Sequence, residues 1–533
     1  MREKLLNFLT EKGTLIQSEA VDFILKKEEP IQFIKNVLDN IEDPPLVLTM
    51  EHLRKADVIG KKAASAILKI EAEKEILKPR LKPEQESVKT EKRSFDENRI
   101  LDNLAVGGGY AKKKLMVRYV QELPENIKII KDITGNSTCQ GKIDDFKLYF
   151  NNRLKTLRKI LKAGPRMIGA TNISDAKKKD GTVKIIGIVS DIRTTKKGNK
   201  MITLEDESDT ISVLLTGDNG PVNDSTILDE VIGVIGTKFR SDIGRNKNNN
   251  LLKAEELIRP DVPVNRNPNY CKENVFVAFV ADIHVGSKTF LKDEFLNFLG
   301  WLKGNNGRKR DVAKKVGYLV IPGDTVDGIG IYPNQEEELA IDDIYGQYEE
   351  LGRLLSEVPE HIKMIVLPGN HDAVRPAEPQ PTFSEEIREL FPHNVIFVGN
   401  PCYFSLSGVE ILAYHGRSMD DFIKALPSLD YSKAINIMTE MLRKRHLAPI
   451  YGGRTPIAPE HRDYLVIDKI PDIFVTGHGH STGMSKYKGV TLINASAWQS
   501  QTKYQKMHNF IPDPAKVPIF DLCTGKGSII NFS

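Results

Sequence analysis

The chain has 533 residues, with 76 Lys+Arg against 72 Asp+Glu and a net charge of +4, so charge alone selects neither a nucleic-acid nor a membrane partner. This length exceeds one hydrophobic core and predicts about two to four domains. Apolar runs of about eighteen residues are missing, which excludes a transmembrane helix. The four cysteines (Cys139, Cys271, Cys402 and Cys523) lack paired spacing. They fit neither a disulfide framework nor a zinc knuckle, and predict a reducing, cytoplasmic location.

Residues 1–70 read as a small helical module. Leu5, Leu6, Phe8 and Leu9 form one apolar stripe, which is too short for a signal-peptide core. Ser18 and Glu19 start a second helix carrying Val21, Ile24 and Leu25. Pro30 suits the first turn of a third, with Phe33, Ile34, Val37 and Leu38. Residues 71–140 change character. The stretch from Glu71 to Arg93 is dense in Lys and Glu and includes Pro79 and Pro83. That composition predicts a flexible charged linker, with a weaker ordered stretch at Leu115 to Tyr119. Its triplet Gly107-Gly108-Gly109 lacks the Lys-Ser/Thr ending of a phosphate loop.

Residues 141–260 return to order. Ile143, Phe146, Tyr149, Phe150, Leu154, Leu157 and Leu161 recur at helical period. Short strands follow at Val183 to Val189, Met201 to Glu205, Ile211 to Leu215 and Val231 to Lys238. This density of strands predicts a small closed barrel. The stretch Ile186 to Arg193, followed by Ile202 to Glu207, resembles the opening hairpin of an OB-fold. OB-folds often grip single strands on aromatic platforms. This stretch has almost no aromatic residue besides Phe239, so a scaffold or subunit-contact role is favoured.

Residues 261–533 carry five short segments with metal-ligand chemistry, each after a β-branched or aliphatic run. They are Asp282-Ile283-His284, Gly323-Asp324, Gly369-Asn370-His371-Asp372, His415-Gly416 and Gly477-His478-Gly479-His480. The preceding runs are Val275 to Val280, Tyr318 to Ile321, Met364 to Leu367, Val409 to Tyr414 and Ile473 to Val475. Such runs read as strands buried on both faces, and residues just past their C-terminal ends lie at the rim where open α/β sheets carry sites. Carboxylate with imidazole suits manganese, iron or zinc better than calcium. A carboxylate can bridge two ions roughly 3.5–4 Å apart, the arrangement used for phosphoryl displacement. Asp324 is the natural bridge, because Gly323 permits a sharp turn, and Gly479 is expected to permit another between His478 and His480. Any one segment alone is weak, since a lone histidine is usually a core or surface residue and a lone Gly-Asp usually a turn. Five in order are not.

These segments resemble the calcineurin-like metallophosphoesterases, whose pattern is Asp-x-His, Gly-Asp, Gly-Asn-His-Asp/Glu, His and Gly-His-x-His. The resemblance implies a two-sheet α/β sandwich with the metals at one edge. It implies that Asp282, His284, Asp324 and His480 hold one ion, and that Asp324, Asn370, His415 and His478 hold the other. Two divalent ions are expected, manganese first, with magnesium, iron or zinc as alternatives. His371 would protonate the leaving oxygen, with Asp372 orienting it.

The order of modules resembles the small-subunit family of archaeal D-family DNA polymerases, related to the B-subunits of eukaryotic replicative polymerases. Local matches are Asn152-Arg153-Leu154, Asp282 to Ser287, Pro322 to Gly328 and Pro368 to Arg375. They cover roughly residues 143–533. The resemblance implies a heterodimer with a large catalytic subunit, 3′–5′ exonuclease action on the primer end of DNA, and a nucleoid-associated location, and it leaves room for a sliding clamp. Arg375 and Arg417, close to ligand segments, are candidates for the DNA backbone or ordinary surface arginines. Tyr332, after Gly328 and Gly330, is favoured as a core tyrosine over a base-stacking one. A stand-alone phosphatase or phosphodiesterase is disfavoured by the extra modules. A non-catalytic scaffold subunit is disfavoured by the intact ligand set.

Overall fold

Short apolar runs separated by glycine turns assemble into two stacked sheets and one barrel in the computed structural model. It describes residues 15–16, 24–25, 30–39 and 47–48, and then 126–533 apart from 217–224, 239–250, 306–308 and 508. The chain divides into two compact units, Met1–Lys112 and Lys113–Ser533. In the first, the expected third helix runs Pro30–Asp39, with Ile34 buried. Ile24 is buried as well. Leu15–Ile16 pairs in parallel with Val47–Leu48, a ladder that the all-helical expectation lacked. The stripe from Leu5 to Leu9, the glycine triplet, the stretch Leu115 to Tyr119 and Phe239 lie outside the described residues.

The second unit holds a four-layer sandwich. One sheet orders its strands Val395–Phe397, Lys363–Leu367, Val316–Pro322, Phe276–Phe279, Lys516–Asp521 and Gly527–Asn531. The first four are mutually parallel. The other sheet orders Gly483–Tyr487, Val490–Asn494, Ile473–Thr476, Val409–Ala413, Cys402–Leu406 and Ile127–Lys131. Alternation along each central strand feeds two cores at once. Val277 and Phe279 pack between the sheets with Phe404, Ile411 and Val475. Ala278 and Val280 face the helices Lys292–Leu302 and Ile344–Leu355 through Phe295, Phe298 and Leu351. On the far side, Met419–Ala425 and Ala434–Lys444 cover Leu412, Phe474 and Leu492. All five expected strand runs are strands buried on both faces. The four free cysteines form no disulfide, and no described helix is long and apolar enough to cross a membrane.

Ile127–Lys131 corrects the expected linker of residues 71–140. It is the edge strand of the second sheet, antiparallel to Cys402–Leu406. Only Ile127 and Ile129 face the core, while Lys128 and Ile130 are exposed and Lys131 reaches Val466 O, so the run carries half of a strand signal beside a charged stretch. Residues 132–140 are fixed as well: Asp132 accepts from Gly399 N, and Glu460 accepts from the backbone of Thr138 and Cys139. The remainder of the linker, residues 71–125, lies outside the described residues.

The barrel closes with strands Thr182–Thr194, Lys200–Glu205, Thr210–Leu215, Leu251–Ile258 and Val231–Lys238, in that order around the wall. Its interior is apolar, plugged at one end by Ile173 and Ala176 of the short helix Ile173–Lys178. The helix Ile143–Ala163 lays Leu154, Leu157 and Leu161 on the barrel and on Val466 of the sandwich. Arg153 on this helix is fully buried. Its guanidinium donates to Asp463 (2.8 Å), Pro449 O (2.7 Å) and Asp229 O (3.1 Å), spanning barrel and sandwich. Removing one partner of a buried ion pair strands the other charge. Arg153→Ala is therefore expected to cost about 3–5 kcal/mol, read as a lower urea midpoint; an unchanged midpoint contradicts this bridging role.

Candidate metal centre

All five ligand segments lie just past the C-terminal ends of parallel strands: Phe276–Phe279, Val316–Pro322 and Lys363–Leu367 of one sheet, Val409–Ala413 and Ile473–Thr476 of the other. Asp282 N donates to Gly323 O (3.1 Å) within one edge and Gly477 N to His415 O (2.8 Å) within the other, and the His415 Nδ1–H joins the two edges through Pro322 O (3.0 Å). Three groups of possible metal-holding side chains result: Asp282 with His284 and His480, Asp324 with His415 and His478, and His284 with Asp327 and His371. The expected ligands are brought together, and Asp324 sits at their centre. Its Oδ2 is 3.3 Å from His415 Nε2, 3.9 Å from His371 Nε2 and 4.0 Å from His284 Nε2.

The donor set fits cations. His415 spends its Nδ1 proton on Pro322 O, so its Nε2 carries a lone pair. That lone pair faces Asn370 Oδ1 at 3.0 Å and Asp324 Oδ2 at 3.3 Å, both acceptors. His284 likewise spends Nδ1 on Asp327 Oδ1 (3.0 Å), and its Nε2 meets His480 Nε2 at 3.2 Å. Lone pairs converging in a buried site require a cation or a proton between them. The titration of the site reflects this. Burial disfavours a charged His415, yet Asp324 overrides it and pushes the imidazole up to about 10. Burial also opposes charge on Asp324, but His415, His371 and His284 hold it well below the ordinary carboxylate range. Burial raises Asp282 to about 6, against the pull of His415.

The backbone is bent to make this convergence. Asp282, His284, Asp324, His478 and His480 all have positive φ, between 42° and 63°. Non-glycine residues pay roughly 1–3 kcal/mol each for such conformations, which persist where surrounding structure enforces them. Gly323 (φ +93°) makes the sharp turn expected of it, and a Cβ there would lie 2.6 Å from His415 Nδ1. Gly479 does not: the turn in the His-x-His segment is made by the two histidines themselves, and a Cβ on Gly479 would meet neighbours at 3.5 Å or more. Gly479→Ala is expected to keep full metal content and a melting temperature within a few degrees, whereas Gly323→Ala loses both. Equal metal loss from the two variants would refute this distinction.

The role expected of Asp372 is corrected. Its carboxylate accepts from Gly369 N (2.8 Å), Thr325 N (3.2 Å), Thr325 Oγ1 and the Tyr348 hydroxyl (3.2 Å). Three donors from the neighbouring loops and one from the helix Ile344–Leu355 capture it, so it clamps the Asp324 loop to the Asn370 loop. His371 is oriented instead by Asp327 O, which accepts its Nδ1–H at 2.7 Å, while its backbone N donates to Asp324 Oδ1 at 2.8 Å. Burial pulls His371 below its ordinary pKa, against Asp324. The side chains of His371 and His478 are each 16% exposed, while His415 and Asp282 are sealed, so the former pair marks the mouth.

Three supporting residues escaped the sequence reading. Asp327 holds His284 and is itself held by Gln335 and Gln499. Asp420, in the first turn of Met419–Ala425, meets His478 Nε2 at 3.1 Å and so fixes the ring that groups with Asp324 and His415. Burial opposes the charge on Asp420, but the bond to His478 holds it down at about 2. Gln505 meets His480 Nδ1 at 3.0 Å. Arg375 is no surface arginine: it pairs with buried Glu460 (2.8 Å) and donates to Ser137 Oγ (3.0 Å). Arg417 donates to Pro376 O and keeps partial exposure. Tyr332 is half-buried, its hydroxyl on Glu338.

Comparison with known proteins gives the following. The family model of the B-subunit of DNA polymerases alpha and epsilon matches residues 277–483. The DNA polymerase II small subunit of Archaeoglobus fulgidus is 48% identical over 397 residues, covering 74% of this chain and 78% of that relative. The protein of the same name from Thermoplasma acidophilum is 42% identical over 426 residues, covering 79% and 85%. Among solved structures, the phosphoesterase Yfce of E. coli is 14% identical and covers 49% of this chain and 100% of its own, at a TM-score of 0.25, too low to carry an argument.

Proposed function

The chain belongs to the DNA polymerase II small-subunit family of the archaeal D-family polymerases, and we propose that it is a two-metal 3′–5′ exonuclease docked on a large polymerase subunit. The observation that carries the nuclease reading is the convergence of lone pairs on Asp324 at a rim that is open through His371 and His478. Asp282, His284, Asp324 and His480 would hold one ion, and Asp324, Asn370, His415 and His478 the other. Manganese is the expected pair, from the mixed carboxylate, amide and imidazole donors. Bound cations would supply Lewis-acid neutralisation of the charge that builds on the phosphoryl oxygens.

The chain's own residues supply the rest. Asp327 O fixes the His371 tautomer and leaves Nε2 toward the mouth. An incoming phosphodiester is the anion that favours a proton on Nε2. Water attacks phosphorus and releases a proton to solvent, the bond to the 3′-oxygen of the penultimate nucleotide breaks, and His371 Nε2 gives that oxygen its proton and is recharged from solvent. A nucleoside 5′-monophosphate leaves. Asp420 and Gln505 hold the imidazoles of His478 and His480 in register. Arg417 is offered as a contact to the DNA backbone.

The five-stranded barrel, in wall order first, second, third, fifth and fourth, supports the OB reading. Its described strands carry no aromatic side chain, which favours a protein contact over strand binding. The partner would be the large catalytic subunit. Residues 126–533 are expected to capture that subunit, while residues 1–70 alone do not. Capture by residues 1–70 alone would overturn the docking, and capture by neither would leave the stand-alone phosphodiesterase.

A further inference from the structure

One wall of the centre is aromatic and apolar, which hydrolysis of a phosphodiester does not itself require. Phe510 lies 6.4 Å, centroid to centroid, from the His480 ring and 5.3 Å from the ring of Tyr431, edge-on to both. The arrangement is keyed to the ligands from both sides. The Tyr431 hydroxyl donates to Asp420 Oδ1 at 2.6 Å, the same oxygen that meets His478 Nε2. Gln505, whose side-chain Nε2 meets His480 Nδ1, accepts from Phe510 N through its backbone carbonyl at 2.9 Å, and Asp513 N donates to His480 O at 2.8 Å. Beside Phe510, Met507 and Ile511 are 75% and 81% exposed, among the most exposed large apolar side chains described. Single exposed apolar residues need no explanation. Two of them flanking a half-buried phenylalanine that adjoins a metal ligand do.

We propose that Phe510, backed by Tyr431, is the stacking platform for the nucleobase of the nucleotide being removed. This makes it a specificity-determining residue for unpaired DNA ends, and it rests on the nuclease reading above. Every nucleobase offers a π face, so an aromatic platform accepts any base that is free to leave its partner. A paired base cannot present that face without fraying. Exposed Lys506 on the same segment suits a phosphate beside that base, while Lys503 lies 3.9 Å from Glu337 and 4.0 Å from Glu338. Removing one such stacking residue typically weakens binding by about 5- to 150-fold.

The test uses the full chain and single-stranded DNA with 2-aminopurine as its 3′-terminal base. Binding to the wild type is expected to quench the fluorophore. Phe510→Ala should abolish the quench and weaken binding by roughly 5- to 150-fold, with unchanged metal content and melting temperature, while Phe510→Trp restores both. A quench equal to wild type in Phe510→Ala, or no quench with the wild type, overturns the platform. So does a Phe510→Ala chain that binds DNA normally and loses only its capture of the large subunit. Failure of the wild type to shorten any DNA is a separate result. It removes the nuclease reading, while the quench still decides the platform.

Discussion

Asp324→Ala is expected to empty the centre of both ions at once and to reduce hydrolysis to background. Three imidazoles point at one oxygen of this carboxylate: His415 at 3.3 Å, His371 at 3.9 Å and His284 at 4.0 Å. The first belongs to one proposed ion and the last to the other, so no other side chain serves both. The second oxygen accepts from His371 N at 2.8 Å, so the substitution also loosens the loop that carries Asn370. Second-sphere substitutions typically cost 10–100-fold in metal affinity, and loss of a bridging ligand should exceed about 100-fold. Elemental analysis of the dialysed variant is the measurement. Two ions retained per chain would refute the bridge, and one retained ion would assign Asp324 to a single site.

His371→Ala is expected to leave metal content and DNA affinity intact while kcat falls by about 10²–10⁴-fold, the usual worth of a positioned acid. The geometry gives the alternative some substance, because His284, Asp327 and His371 also approach closely enough to hold an ion. Metal loss in the variant would make His371 a ligand. Asp372→Ala provides the contrast. Since Asp372 clamps the Gly369 and Thr325 backbones without touching the His371 ring, its loss should lower the melting temperature and metal content together.

The parts of the fold that were legible are those whose residues face a core on both sides. The runs ending at Val280, Ile321, Leu367, Tyr414 and Val475 are apolar at every position except Glu410, and their side chains fill the cores on the two faces of the sheets. Half-buried strands left weaker traces. Leu251–Ile258 closes the barrel with Leu252 and Ala254 inward, yet Lys253, Glu255 and Glu256 give it the look of a helix. Ile127–Lys131 faded into the charged linker for the same reason. In the site, the proposed ligand segments stood out because glycine, aspartate and histidine recur at strand ends. Their supports did not. Asp327 and Asp420 are two acids among 72, and their partners are chosen by loop conformations separated from His284 and His478 by 43 and 58 residues. The misassigned Asp372 teaches the same point: adjacency to His371 in sequence sends its side chain toward Thr325 and Tyr348 instead.

The central claim is hydrolysis from the 3′ end by this chain. The direct measurement incubates the full chain and manganese with 5′-labelled DNA bearing a mismatched 3′ terminus. The expected result is a ladder shortened stepwise with the label retained on the long products, nucleoside 5′-monophosphates released, and all of it lost in His371→Ala. Label released first as a mononucleotide, shortening that survives in His371→Ala, or no shortening with both ions bound would contradict it.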